Sequence, residues 1–150
     1  MIEEIKRVVN ALHSLECTSF KHFSDSSLEL IFGEDLINTR VGLNKFEFRP
    51  AYRFMIYARS WRLVSNDKLL LGACSSRDWD GTIELIDVYP LGCLVDIRVV
   101  SKFDLQLVFE SGFSIFVFCL NDDSEELFYF RLGEVYAGFS CINGWNFSDE

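Results

Sequence analysis

The stretch Asp104 to Leu120, DLQLVFESGFSIFVFCL, restricts the fold more than any other part of the chain. Two apolar runs flank Glu110-Ser111-Gly112-Phe113, a short turn with one glycine. Leu105, Leu107 and Phe109 alternate with Asp104, Gln106, Val108 and Glu110. A period of two places each set on its own face of a strand. The second run is apolar on both faces: Ile115, Val117 and Cys119 point one way, Phe116, Phe118 and Leu120 the other. That pattern predicts a strand inside a sheet, covered on both sides. The remaining sequence has to supply the covering layers.

One further pattern is helical. Ile2, Ile5, Val8, Val9, Leu12 and Leu15 recur at steps of three and four, with Glu3, Glu4, Lys6, Arg7 and Asn10 opposite. The spacing predicts an amphipathic helix over 2–15 that packs on a sheet. From residue 18 the pattern changes to strands: 26–32, 46–48, 52–58, 60–64, 68–73, 93–100, 127–132 and 135–140. Pro50 stops the second of these, and Ser65-Asn66-Asp67 is a turn. Residues 83–91 fit a helix or a strand. Asn143-Gly144-Trp145 reads as a loop that leads into a frayed tail. The expected fold is one α+β domain over 1–150: a largely antiparallel, twisted sheet, or two related half-sheets, with the N-terminal helix packed on it. Residues 24–75 and 93–140 read as a loose internal repeat, SLELIF and SWRLVS against DLQLVF and FYFRLG.

Composition narrows the function. The chain has 150 residues, 49% of them hydrophobic, enough for a core that needs no disulfides. Cys17, Cys74, Cys93, Cys119 and Cys141 are odd in number and widely spaced. They are expected to be reduced and buried, which suggests a cytoplasmic protein. The charged N-terminus resembles neither a signal peptide nor a spanning segment, so no membrane partner is expected. Net charge is −9, and residues 91–150 carry three bases against ten acids. Such a field repels a phosphate backbone, so nucleic acid is not expected as a partner. A basic protein fits better.

No catalytic or metal motif stands out. His13 and His22 lack a nucleophile context, and Cys17 with His22 has only spacing in its favour. Asp78 and Asp80 are close enough for acid–base work, but loop acids are mostly solvated. Ser76 to Asp87 imitates a calcium loop through Asp78, Asp80, Gly81 and Ile83. It lacks the first Asp and the final Glu, so no cofactor or metal is expected. Arg49, Arg53, Arg59 and Arg62 lie among aromatics and should pair with acids on neighbouring strands. The best candidate surface is the acidic turn after the hairpin, with Asp122, Asp123, Glu125 and Glu126 as partner-binding residues.

The order Ser60-Trp61-Arg62-Leu63, KLLLGAC, a middle element ending near Leu91-Gly92, then DLQLVFESG with FSIFVFCL, resembles a group of small bacterial β-rich proteins. Some members look like immunity proteins of polymorphic or contact-dependent toxin systems. The resemblance covers roughly residues 24–140 and implies a non-catalytic protein that binds and neutralises a cognate, basic toxin. It assigns no functional residue. The competing expectation is a scaffold or protein-binding module, dimeric through an exposed sheet edge.

Overall fold

A computed structural model describes residues 1–57, 60–73, 81–119 and 125–149. The chain is α+β: among the described residues there are one short helix and fourteen strands in antiparallel sheets. The helix α1 spans Ile2–Leu12, with Glu3 and Glu4 in its first turn, where acids favour the dipole. It ends at His13, one turn before the predicted end. Ile5, Val8 and Leu12 are its buried stripe.

The strands β1 (Cys17–Phe23), β2 (Leu28–Phe32), β3 (Leu36–Gly42), β4 (Lys45–Pro50), β5 (Tyr52–Ile56), β6 (Trp61–Ser65) and β7 (Lys68–Gly72) follow. Then come β8 (Thr82–Glu84), β9 (Leu94–Ser101), β10 (Asp104–Phe109), β11 (Phe113–Val117), β12 (Glu126–Leu132), β13 (Val135–Ser140) and β14 (Gly144–Asp149). Seven form a large sheet in the order β14-β13-β12-β5-β2-β1-β8. Five form a small one, β7-β6-β11-β10-β9. The strands β3 and β4 pair only with each other and prolong the β2–β5 pair as an arm. The chain thus enters the large sheet three times and the small sheet twice.

A single apolar cluster is built from both sheets and the helix. The large sheet contributes Phe20, Leu28, Leu30, Phe32, Phe54, Ile56, Phe128, Phe130, Ala137 and Phe139. Leu63, Leu71, Ile97, Leu105, Leu107, Ile115 and Val117 come from the small one. Phe54 stacks on Phe130 with ring centres 4.4 Å apart, and Phe128 on Phe139 at 5.1 Å. α1 packs against β9 and β12, and its Arg7 guanidinium lies 4.7 Å from the centre of the Phe147 ring. Trp61 Nε1 donates to Ser26 O at 2.8 Å, which ties the small sheet to the β1–β2 turn.

The hairpin of residues 104–117 is as expected, and β11 lies in the middle of its sheet. Its second face is not covered by another layer. Phe116 and Phe118 are half-buried, and the Arg62 guanidinium lies 4.5 Å from the Phe118 ring centre. Residues 83–91 resolve as a strand followed by a turn, because Glu84 clamps β8 to β1. Its carboxylate accepts bonds from Ser19 Oγ and Phe20 N, both at 2.6 Å. Burial pushes its pKa up, but these bonds and one from Ile86 N outweigh that and leave it lowered.

Two further expectations are overturned. The tail does not fray: Gly144–Asp149 pairs with β13 throughout. Trp145 turns inward onto Phe128 and Phe139 at 5.6 and 5.4 Å, and that burial holds the strand. The cysteines are not all reduced: Cys119 and Cys141 form a disulfide, with Cα atoms 6.0 Å apart. It cross-links the end of β11 in the small sheet to the end of β13 in the large one, and it removes the ground for inferring a reducing compartment. Cys17 is a buried free thiol and Cys93 a half-buried one. Cys74 lies outside the described residues. No helix among the described residues is long and apolar enough to cross a membrane.

Phe54→Ala should cost about 3–5 kcal/mol of stability by denaturant titration, because the stacked ring is fully buried. Phe48→Ala on the arm, where the ring is 72% exposed, should change it by no more than about 0.5 kcal/mol.

Candidate functional site

Of the acidic stretch 121–126, the structure describes Glu125 and Glu126, the latter being the first residue of β12. Asp122 and Asp123 lie outside the described residues. Glu125 is exposed. Glu126 opens β12 and is half-buried, and its carboxylate accepts a hydrogen bond from the Tyr136 hydroxyl. Both flanks of the turn are therefore fixed, one by the disulfide and one by this bond. Gly138 makes the second possible: a Cβ at that position would collide with the Glu126 carboxylate.

Glu126 leads into a polar network on the outer face of the large sheet. Pairing of β12 with β13 places Tyr136 opposite Arg131, one step from Tyr129. The rings of Tyr129 and Tyr136 stack, 4.8 Å between centres. Tyr57 follows at 5.7 Å from Tyr129. Arg53 donates to the Tyr129 hydroxyl and to Glu29 Oε2, the latter at 3.3 Å. The result is a row of three tyrosines from the acidic turn to a half-buried Arg53–Glu29 pair. Tyr57 is half exposed and Tyr129 almost wholly covered.

Burial raises the pKa of Tyr57 to about 12, helped by Tyr129 and the Glu126 charge. Burial also raises that of Tyr136, together with its bond to Glu126. These phenols stay neutral through the physiological range. In that state the Tyr136 hydroxyl donates to Glu126. Tyrosine and arginine of this kind are enriched at protein interfaces, where rigid amphipathic rings bury area with little entropy loss.

The other sequence candidates disperse. Cys17 donates to Ser19 O at 3.3 Å, and burial raises its pKa to about 12, so it supplies no thiolate nucleophile near neutral pH. His22 is buried with its ring centre 5.0 Å from Trp61 in an edge contact, a core position. Ser76, Asp78 and Asp80 of the calcium-like stretch lie outside the described residues. No group of three or more His, Cys, Asp or Glu able to hold a metal occurs among the described residues. Arg53 pairs across strands with an acid as expected; Arg49 reaches Glu47 on its own strand at 3.4 Å, Arg62 stacks on Phe118, and Arg59 is not described.

The tyrosine row was missed from the sequence. Its only signal is alternation, Arg53-x-Met55-x-Tyr57 and Tyr129-x-Arg131, which requires the strand order before it becomes a site. Fold and site together describe a two-sheet α+β domain with a tyrosine and acid surface at one end. Comparison with protein-family models, with curated proteins and with solved structures finds no match.

A raised tyrosine pKa stabilises the folded state fully below the ordinary value of 10.0, and that contribution is lost as pH rises toward about 12. Chemical-denaturation midpoints should therefore fall over that interval. Tyr57→Phe or Tyr136→Phe should flatten the fall, and an unchanged slope in both would disprove the burial of these hydroxyls.

Proposed function

We propose that the chain is a non-catalytic, partner-binding protein of the immunity type, which neutralises a basic bacterial toxin by docking on it. The supporting observation is the tyrosine row Tyr57–Tyr129–Tyr136 beside an acidic turn fixed at both flanks. Pre-ordered flanks lower the entropy lost on binding. Asp122, Asp123, Glu125 and Glu126 supply a field that attracts a basic partner and sets its approach. Tyr57, half exposed, and the part-exposed Tyr136 supply the apolar contact that an acidic loop alone lacks, with the covered Tyr129 holding them in place. The concentration of acids in residues 91–150 favours the same end of the chain. A scaffold role with self-association is the second reading. It is favoured by β9, an edge strand with Val95, Val99 and Val100 exposed.

The test takes a toxin domain encoded in a gene adjacent to this one, in catalytically dead form, and titration calorimetry; no such domain in the neighbouring genes counts against the immunity reading. Asp122→Lys, Asp123→Lys and Glu125→Lys combined should weaken binding at least about tenfold and reduce its salt dependence. Tyr57→Ala should weaken it by about tenfold without changing that dependence. Unchanged affinity in both variants would move the contact elsewhere, and no binding by the wild type would end the immunity reading. Sedimentation velocity of the protein alone should show a monomer; a dimer dissociated by Val99→Lys supports the second reading instead.

A further inference from the structure

A cavity of about 400 Å³ opens at one end of the small sheet, between the β6–β7 turn, the start of β11 and the turn that follows β8. Cavities of this size take small molecules when apolar walls surround a few placed polar groups. Leu63 and Ile115 are fully buried, and strand alternation puts Ser65 and Phe113 on the same inner face. Register lines up Lys68, Ser65 and Phe113 as one row across β7, β6 and β11.

The wall is apolar and anchored. Leu70, Tyr89 and Phe113 line it, and each packs against the core from a half-buried position. The Tyr89 and Phe113 rings meet edge to face, 6.0 Å between centres. Tyr89 N donates to Leu85 O at 2.8 Å, and Leu85 is itself a core residue. Val88 forms the lip and is 65% exposed. A ligand that covers it removes apolar surface from water.

The rim is cationic. Asn66 and Asp67 take φ of 48° and 63°, the left-handed pair of a tight hairpin turn. That turn sets the Lys68 backbone opposite Ser65. In a chain of net charge −9, Lys68 has no ion-pair partner among the described residues. The neighbouring Asp67 lines a separate depression with Arg62 and Phe116 on the other face. No acid among the described residues lines the cavity itself, and Ser65 and Asn66 bring a hydroxyl and an amide to its rim.

We infer that this cavity binds a small aromatic monocarboxylate, with its ring against Leu70, Tyr89 and Phe113 and its carboxylate on the Lys68 ammonium. Ser65 and Asn66 donate further hydrogen bonds to the carboxylate oxygens. Charge selects the anion, since a cation would meet only Lys68. A third aromatic ring extends the edge-to-face packing of the two already present, which an alkyl chain does not. The site uses none of the residues assigned to the toxin surface and does not depend on that reading.

The test is calorimetric titration of the whole protein with indole-3-acetate and with benzoate, each beside its neutral amide, and with octanoate as an acid that has no ring. Saturable one-to-one binding of at least one aromatic acid is expected, with its amide and octanoate at least about tenfold weaker. Lys68→Gln should weaken the aromatic acid about tenfold and remove the preference for acid over amide. Val88→Asp, a change at an exposed position, should abolish binding by placing a like charge at the lip, while circular dichroism stays unchanged. Failure of both aromatic acids to bind, an amide or octanoate bound as tightly as the aromatic acid, or wild-type affinity in the folded Lys68→Gln and Val88→Asp variants would each overturn the site.

Discussion

Burial of two sheet faces against each other is the constraint on which the rest of the structure depends. Phe54, Phe128, Phe130 and Phe139 on one side and Leu63, Leu107, Ile115 and Val117 on the other exclude water from one continuous core. Neither sheet can expose that face to solvent, since each buried large side chain contributes about 1.5–3 kcal/mol through its removal from water. The chain crosses repeatedly between the sheets, so one cannot separate without dragging the other. The Trp61–Ser26 hydrogen bond and the Cys119–Cys141 link hold the same two layers at points outside the stack.

With the inner faces committed, the outer ones are free to carry binding chemistry. On the large sheet, strand alternation turns Arg53, Tyr57, Tyr129 and Tyr136 away from the core, and antiparallel register gathers them into a row. On the small sheet, Arg62 covers Phe116 and Phe118 in place of a third layer. The Cys119–Cys141 link joins the two sheets one residue past Ser140, the cross-strand partner of Glu126. The β3–β4 arm prolongs the central β2–β5 pair.

Alternation in 104–117, the helical stripe from Ile2 to Leu12 and the turn at Ser65-Asn66-Asp67 were legible because each is local. In the last, Asn66 and Asp67 do adopt positive φ. Trp145 and Phe147 looked like loop because two apolar residues at a period of two are too few to mark a strand. Their burial against β13 and the helix decides it.

The sequence by itself determined the fold class, the helix, most of the strands and the charge, because these follow from side-chain periodicity and composition. Tertiary structure alone decided which strands share a sheet, which cysteines meet and which polar residues converge. Cys119 and Cys141 lie 22 residues apart, and Arg53 and Tyr129 lie 76 apart. Contacts over such distances depend on strand order and register, which long-range packing fixes and no local pattern records.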